Sequence, residues 1–166
     1  MKEIYLAGGC FWGVEEYFKQ IKGVLNTKVG YANGTTNNPV YKTIKETNHA
    51  EVVYVEYDEL ICSLEFLLEM YYKVIDPLSV NKQGEDVGTQ YRTGIYYTQN
   101  EDLELINKSV NSLEEKLNAK VAIEVELLNG FYDAEEYHQD YLEKNPSGYC
   151  HISKKSFEDA KNTKPF

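Results

Sequence analysis

Residues 8–12 read Gly8-Gly9-Cys10-Phe11-Trp12, and the pattern of the chain changes at this point from strand to helix. The run 4–7 before it is short and apolar, as in a buried strand. After it, apolar residues recur at helical spacing on one face from residue 11 to residue 21, and Trp12 falls off that face. The sequence therefore predicts a strand, a glycine turn and a helix, with Cys10 at the helix start.

Strand-like and helical patterns alternate outward from this run. Strands are predicted over 4–7, 24–31, 51–57, 93–97 and 121–128, and helices over 11–21, 63–75 and 103–117, with a further helix starting near Asp133. Such an alternation is typical of an α+β domain with one central sheet, here a single domain over residues 1–166. The alternation of apolar and polar residues over 121–128 predicts a half-buried strand with one solvent-exposed face.

Capping residues and loops refine these predictions. Ser63 is the expected cap of its helix, with Cys62 packed in the core just before it, and Thr98 with Glu101 and Asp133 with Glu136 match the capping-box spacing. The segments 32–43 and 79–90 are predicted loops of the kind that often carry function. Residues 153–166 are predicted to be a polar tail.

Composition excludes some classes of partner. The chain has 166 residues and a formal net charge of -10, which repels nucleic acid and anionic membrane surfaces. Its apolar N-terminal run is too short for a signal-peptide core or a membrane span, so we expect a cytoplasmic protein. Three cysteines cannot all pair within one chain, and a reducing compartment discourages structural disulfides.

Cys10 and Cys150 are the candidate redox residues. At a helix start the free amide N–H groups favour a thiolate, which predicts a lowered pKa for Cys10, although a small buried side chain in a tight turn has the same pattern. Cys150 follows the turn-rich run 145–149, where a mobile thiol can reach a sulfenic acid and close a disulfide, or where a surface cysteine is incidental. A metal site from these thiols and the histidines lacks any paired ligand spacing.

Glu51 is the candidate general acid. It shares its strand parity with Val53, Val55 and Tyr57, which predicts a core-facing carboxyl. Burial raises the pKa of a carboxyl and suits proton donation at neutral pH, whereas an ordinary solvated glutamate at a strand end is the alternative. Packing is the default role of any single tyrosine, although phenol groups can also orient a polar S=O bond. Of the 15 tyrosines, eight mostly lie beside the predicted loops: Tyr31, Tyr41, Tyr54, Tyr91, Tyr132, Tyr137, Tyr141 and Tyr149.

Six motifs, in order along residues 3 to 152, together resemble the A-class methionine sulfoxide reductases. They are Gly9-Cys10-Phe11-Trp12-Gly13-Val14-Glu15, Asn38-Pro39-Val40-Tyr41, His49-Ala50-Glu51, Gln83-Gly84-Glu85-Asp86-Val87-Gly88-Thr89-Gln90-Tyr91-Arg92, Tyr137-His138-Gln139 and Gly148-Tyr149-Cys150. The resemblance implies a ferredoxin-like two-layer α/β plait, with a mixed central sheet and a long irregular C-terminal segment.

The same resemblance implies the chemistry and the partners. Cys10 would attack the sulfoxide sulfur, and Glu51 would protonate the departing oxygen. Cys150 would then form a disulfide with Cys10 that thioredoxin reduces, with no bound cofactor. The remaining implied site residues are two tyrosines that bind the oxygen, an aspartate that supports the site, and two aromatic residues that hold the S-methyl group: Tyr41, Tyr91, Asp86, Phe11 and Trp12. The substrate would be the S epimer, free or in oxidised proteins, and the enzyme a monomer.

Departures from the family pattern and two other functions complete the expectations. Asn48 replaces a common glycine, Glu85 an asparagine and Val87 a histidine, and no cysteine follows Cys150, which argues against a three-thiol relay. A general thiol peroxidase or disulfide oxidoreductase could use the same two thiols, although the chain has no C-x-x-C motif. A non-catalytic ligand-binding domain would leave Cys10 with ordinary reactivity.

Overall fold

The computed structural model describes residues 1–166 and has a mixed six-stranded sheet at its centre. The strands are β1 (Lys2–Gly8), β2 (Val24–Ala32), β3 (Ala50–Tyr57), β4 (Lys82–Gln83), β5 (Asp86–Val87), β6 (Thr93–Tyr97), β7 (Glu124–Leu127) and β8 (Phe131–Asp133). The helices are α1 (Phe11–Lys19), α2 (Leu64–Tyr72), α3 (Asn100–Leu117), α4 (Tyr141–Lys144) and α5 (Lys154–Asn162), with short 3-10 helices at Thr89–Tyr91 and Glu136–His138.

The central sheet has the strand order β7-β6-β1-β3-β2-β8, and β4 and β5 form a separate two-stranded sheet. All neighbours in the central sheet are antiparallel except β6 and β7, which are parallel. The predicted mixed α+β class is therefore confirmed. None of the helices is long and apolar enough to cross a membrane.

The two faces of the sheet bury different residues. On β1, Ile4 and Leu6 belong to the large core that the helices complete, whereas Tyr5 and Ala7 belong to a smaller cluster on the other face. This alternation follows from the period of two along a strand. Glu51 has the parity of Val53, which lies in the large core, so its carboxyl faces the helices.

The predicted start of α2 is confirmed in detail. The Ser63 Oγ atom accepts a hydrogen bond from the Phe66 backbone N–H at 3.1 Å, which satisfies one of the free amides of the first turn. Cys62 is completely buried in the large core, as expected for a residue that packs just before the cap.

Two capping-box predictions are wrong. The cap of α3 is Gln99 rather than Thr98, and its side chain makes no capping bond. Asp133 does not begin a helix, because it ends β8 opposite Gly30 and the next amide, that of Ala134, donates to the Val29 carbonyl. The chain there continues along the edge of the sheet, and only then forms the 3-10 helix Glu136–His138.

The predicted strand over 121–128 is shorter than expected. The structure has only Glu124–Leu127 in β7 because the amides before it are used elsewhere. The Val121 N–H donates to the Glu114 carboxylate at 2.9 Å, and the Ala122 N–H donates to the Pro77 carbonyl at 2.7 Å.

The C-terminal residues contain a helix that the polar composition of 153–166 concealed. Ser153 caps α5, and Ala160 is completely buried against the large core. The Phe166 carbonyl also accepts from the Ser63 N–H at 2.7 Å, which fixes the chain end beside α2. The predicted polar tail is thus a docked helix whose outer face is polar.

Candidate active site

Cys10 lies at the joint between β1 and α1. Gly9 has φ +85°, a left-handed conformation that lets the chain turn sharply from strand into helix. Cys10 is the residue that precedes the first helical position, as predicted, and it is 8% exposed. Its sulfur is therefore almost enclosed at the helix start.

The expected lowering of the Cys10 pKa is wrong for this state of the protein. Burial is the largest effect and raises the pKa of the thiol, and the neighbouring Glu51 carboxyl raises it further. The Trp12 backbone N–H lowers the pKa but does not outweigh burial. Cys10 therefore rests as a protonated thiol, and its proton must be removed during any attack.

Glu51 lies on β3 with its carboxyl enclosed next to the start of α1. It is 1% exposed, and its Oε1 atom accepts a hydrogen bond from the Phe11 backbone N–H at 3.1 Å. Its Oε2 atom is buried and has no partner. Burial raises the pKa of Glu51 to about 8, and the nearby Asp86 side chain contributes to this rise. The core-facing position expected from the sequence is confirmed, and the raised pKa favours the protonated carboxyl at neutral pH.

Tyr41 and Tyr91 come from separate loops to the same site. Each hydroxyl shifts the pKa of the other, and Glu51 raises the pKa of both, so the three groups lie close together. Asp86 on β5 raises the pKa of Cys10 and Glu51, and it accepts a hydrogen bond from the Tyr149 hydroxyl at 2.9 Å. The structure thus brings all of these predicted residues around Cys10.

Arg92 fixes the loop that carries Tyr91. Its Nη1 atom donates to the Thr89 carbonyl at 2.9 Å, and its Nη2 atom donates to the Asn33 carbonyl at 3.0 Å. Its Nε atom pairs with the Glu124 carboxylate at 2.8 Å. Because the guanidinium is planar and buried, it joins three segments at fixed angles.

An aromatic wall stands beside Cys10. The Trp12 ring stacks on Tyr141, with centroids 3.7 Å apart, and its Nε1–H donates to His138 Nδ1 at 2.9 Å. The His138 ring also lies 5.1 Å from the ring of Phe11 and 4.8 Å from that of Tyr41. Phe11 is buried and Trp12 half-buried, so both predicted binding residues border the site.

His138 and Tyr141 are the parts of this wall that the sequence predictions missed. His138 belongs to the Tyr137-His138-Gln139 motif, but the sequence pattern predicted no substrate-binding role for it. Burial lowers the pKa of His138, so its ring is neutral. Since Nδ1 accepts from Trp12, the ring proton lies on Nε2, which is buried without a partner.

Two side chains hold the segment with His138 against the rest of the domain. The Gln139 amide bonds to both the N–H and the carbonyl of Val29 on β2, at 2.9 and 2.8 Å. The Glu15 carboxylate, on α1, accepts from the Asp140 N–H at 2.8 Å and from the Thr27 hydroxyl at 2.9 Å. The aromatic wall therefore has fixed supports on the sheet and on the helix.

Cys150 lies over the first turns of α1 in a segment without regular structure. A Cβ atom at Gly13 would lie only 2.8 Å from the Cys150 Sγ atom, so the glycine leaves room for this approach. The thiol donates to the Ile152 carbonyl at 3.2 Å. All three cysteines are free, and no group of three or more histidine, cysteine or acidic side chains is arranged to hold a metal ion.

Known proteins match this chain over almost its full length. The family model for peptide methionine sulfoxide reductase matches residues 2–166. The curated "Peptide methionine sulfoxide reductase MsrA" of Lachnoclostridium phytofermentans is 61% identical over 163 residues, which is 97% of this chain and 98% of that protein.

Solved structures resemble it as well. Mxr1 from Saccharomyces cerevisiae in its reduced form has a TM-score of 0.86 and 38% identity, with 92% of this chain and 91% of that chain covered. Mxr1 in complex with Trx2 has a TM-score of 0.62 and 29% identity, with 84% of each chain covered. The fold, the site and the similarity over the whole length agree, and the chain belongs to the A class of the peptide methionine sulfoxide reductase family.

Proposed function

We propose that this chain reduces methionine S-sulfoxide, free or in oxidised proteins, to methionine, with Cys10 as nucleophile and Glu51 as general acid. The observation that carries these roles is the protonated, fully enclosed Glu51 carboxyl beside the enclosed Cys10 thiol. A sulfoxide oxygen between them would accept the proton that the unpartnered Oε2 can offer. The Tyr41 and Tyr91 hydroxyls would hold the same oxygen.

The first step transfers one oxygen atom. Cys10 Sγ attacks the sulfoxide sulfur while Glu51 protonates the sulfoxide oxygen, and the thiol proton passes to the carboxylate that this leaves. The hydroxyl then moves from the substrate sulfur to Cys10 as the transient sulfur–sulfur bond breaks, which leaves a sulfenic acid on Cys10 and methionine with its sulfur reduced. Glu51 starts and ends protonated, which agrees with its raised pKa. The wall of Phe11, Trp12 and His138 would hold the S-methyl group and exclude water.

The second step converts the sulfenic acid into a disulfide. The Cys150 thiolate attacks Cys10 sulfur, the S–O bond breaks and the hydroxyl leaves as water after gaining a proton. The position of Cys150 over Gly13, one helical turn from Cys10, supports this role. Cys62 is completely buried beside Gly23, so it does not suit a relay.

Thioredoxin is the proposed reductant of the disulfide. A related yeast protein is known in complex with Trx2, and this chain has no cysteine after Cys150 to carry the disulfide further. Thiol exchange with thioredoxin would then act directly on the Cys10–Cys150 bond.

The finer fold, assembly and location are also part of the proposal. Strands β6-β1-β3-β2 lie in the order and antiparallel sense of a ferredoxin-like plait, with α1 and α2 contributing to one core. We also propose that the enzyme is a monomer. Three free thiols favour a reducing compartment, so we place the enzyme in the cytoplasm.

Mass spectrometry after one equivalent of methionine-S-sulfoxide tests the proposal. We expect a loss of two hydrogens and one crosslinked peptide that joins Cys10 to Cys150. A stable sulfenic acid on Cys10 would exclude Cys150 as the resolving thiol. An unchanged protein mass together with unreacted sulfoxide would contradict the role of Cys10 as nucleophile.

A further inference from the structure

His151 lies against the backbone on both sides of Cys10. Its Nε2 atom is 3.1 Å from the Gly8 carbonyl oxygen. A Cβ at Gly9 would be 3.2 Å from the same Nε2, and a Cβ at Gly13 would be 3.6 Å from the ring Cε1. The imidazole therefore fills space that the two glycines flanking the nucleophile leave open.

The hydrogen bond determines where the ring proton lies. A carbonyl oxygen can only accept, so Nε2 carries the proton and donates it to Gly8. Burial lowers the pKa of His151, which keeps the ring neutral, so Nδ1 bears a free lone pair. That Nδ1 is buried and has no partner. An unpaired buried acceptor costs stability, and such a group is often retained for function.

Cys150 precedes this ring directly and lies against the same Gly13. Its thiol donates to the Ile152 carbonyl, a bond that it must give up when the sulfur turns towards Cys10. The proton then needs another acceptor, because a neutral thiol is a poor nucleophile. Burial raises the pKa of Cys150, so bulk water removes this proton slowly at neutral pH.

We propose that His151 accepts the Cys150 proton through Nδ1 while its Nε2–H keeps the 150–152 segment docked beside Cys10. The proposal rests on the Cys10–Cys150 disulfide of the proposed function. The Cys150 proton passes to Nδ1, the Cys150–Cys10 bond forms, and the Cys10–oxygen bond breaks. The hydroxyl takes the Glu51 proton and leaves as water. The imidazolium then releases its proton to solvent, and the Glu51 carboxylate takes up a proton from solvent.

The charged surroundings determine the direction of the pH dependence. Asp86, on β5, raises the pKa of His151, whereas burial lowers it. The other titratable groups nearby are the thiols of Cys10 and Cys150. Glu16 on α1 adds to the effect of burial in raising the pKa of Cys150. With neutral His151 as the base, disulfide formation should be constant near pH 7 and should fall at acid pH, when the ring becomes protonated.

His151→Gln separates the two parts of the proposal. A glutamine amide can still donate to the Gly8 carbonyl, but it has no basic nitrogen. We expect disulfide formation in a single turnover to slow by about 10²-fold at pH 7. In this variant the rate should rise continuously with pH, as expected when only the thiolate fraction of Cys150 reacts. His151→Leu removes the docking bond as well and should be slower still.

The first step provides the control. Cys150→Ser and the double variant Cys150→Ser/His151→Gln should form sulfenic acid on Cys10 at the same rate, measured by trapping with a dimedone probe. An unchanged rate of disulfide formation in His151→Gln would overturn the proposal, as would an equal slowing of both steps. A wild-type protein that forms sulfenic acid but no disulfide would instead contradict the proposed function itself.

Discussion

The two thiols of the site lie in regions that are built differently. Cys10 follows β1, which pairs with strands on both sides, and precedes the nine-residue helix α1. Cys150 lies between the four-residue helix α4 and α5, in a segment held by separate contacts, among them Tyr149 to Asp86 and His151 to Gly8. Cys10, the proposed nucleophile, is thus fixed by the sheet, whereas Cys150, the proposed resolving thiol, can move when a few side-chain bonds break.

Cys10→Ser should have the largest effect and tests the fixed region. A serine hydroxyl does not attack a sulfoxide sulfur at neutral pH, so we expect no reduction of methionine-S-sulfoxide in an assay of product methionine. The side chain is similar in size, and the thermal unfolding midpoint should change little. Retained activity in a folded variant would show that the enclosed thiol is not the nucleophile.

Cys150→Ser tests the segment between α4 and α5. The fixed site should remain intact, so we expect one methionine per enzyme in a rapid first turnover and then no further product with thioredoxin. Quantifying methionine in a quenched-flow experiment measures both the burst and the steady rate. Continued turnover with thioredoxin would show that the disulfide is not needed.

Glu51→Gln sharpens the comparison within the fixed region. We expect sulfenic acid formation to slow by about 10²-fold, a typical loss for a general acid. Because the acid is the protonated carboxyl, wild-type activity in the first step should fall as pH rises through about 8. The variant should lack this dependence, and an unchanged single-turnover rate would exclude Glu51 as the acid.

The same substitution should stabilise the fold. In the folded chain Glu51 keeps its proton up to about pH 8, whereas the unfolded chain releases it near the ordinary value of 4.5. The unfolded state therefore binds fewer protons between these values, and stability falls as pH rises through this window. Glutamine removes the effect, so urea midpoints should be higher than in wild type at pH 7 and similar at pH 4. A lower midpoint at pH 7 would contradict the cost assigned to burying this carboxyl.

Sequence patterns predicted the region around Cys10 better than the segment after α3. The position of Cys10 before α1 and the core-facing Glu51 follow from strand and helix periodicity, which is local. The segment after α3 depends on partners far away in sequence, such as Pro77 for Ala122 and Val29 for Ala134 and Gln139. For the same reason the capping box at Asp133 was wrong, because pairing with β2 outweighed the local preference.

The predicted pKa of Cys10 failed for a related physical reason. A helix start predicts a lowered pKa only when the thiol stays partly hydrated, and the sequence does not show how deeply a side chain is buried. Burial of the thiol, together with the neighbouring Glu51 carboxyl of β3, reversed the direction. His138 was missed likewise, since its contact with Trp12 joins residues 126 positions apart.

Trp12→Phe should have the smallest effect and tests the contact between α1 and the 3-10 helix Glu136–His138. Phenylalanine keeps an aromatic ring beside Tyr141 but loses the N–H that donates to His138 Nδ1. A single neutral hydrogen bond contributes about 1 kcal/mol, so we expect kcat/KM of the first step to fall roughly five-fold. His138→Phe and the double variant complete a cycle in which the two losses should not add, because each removes the same bond. Additive losses would mean that the Trp12 indole contacts the substrate independently of its hydrogen bond to His138.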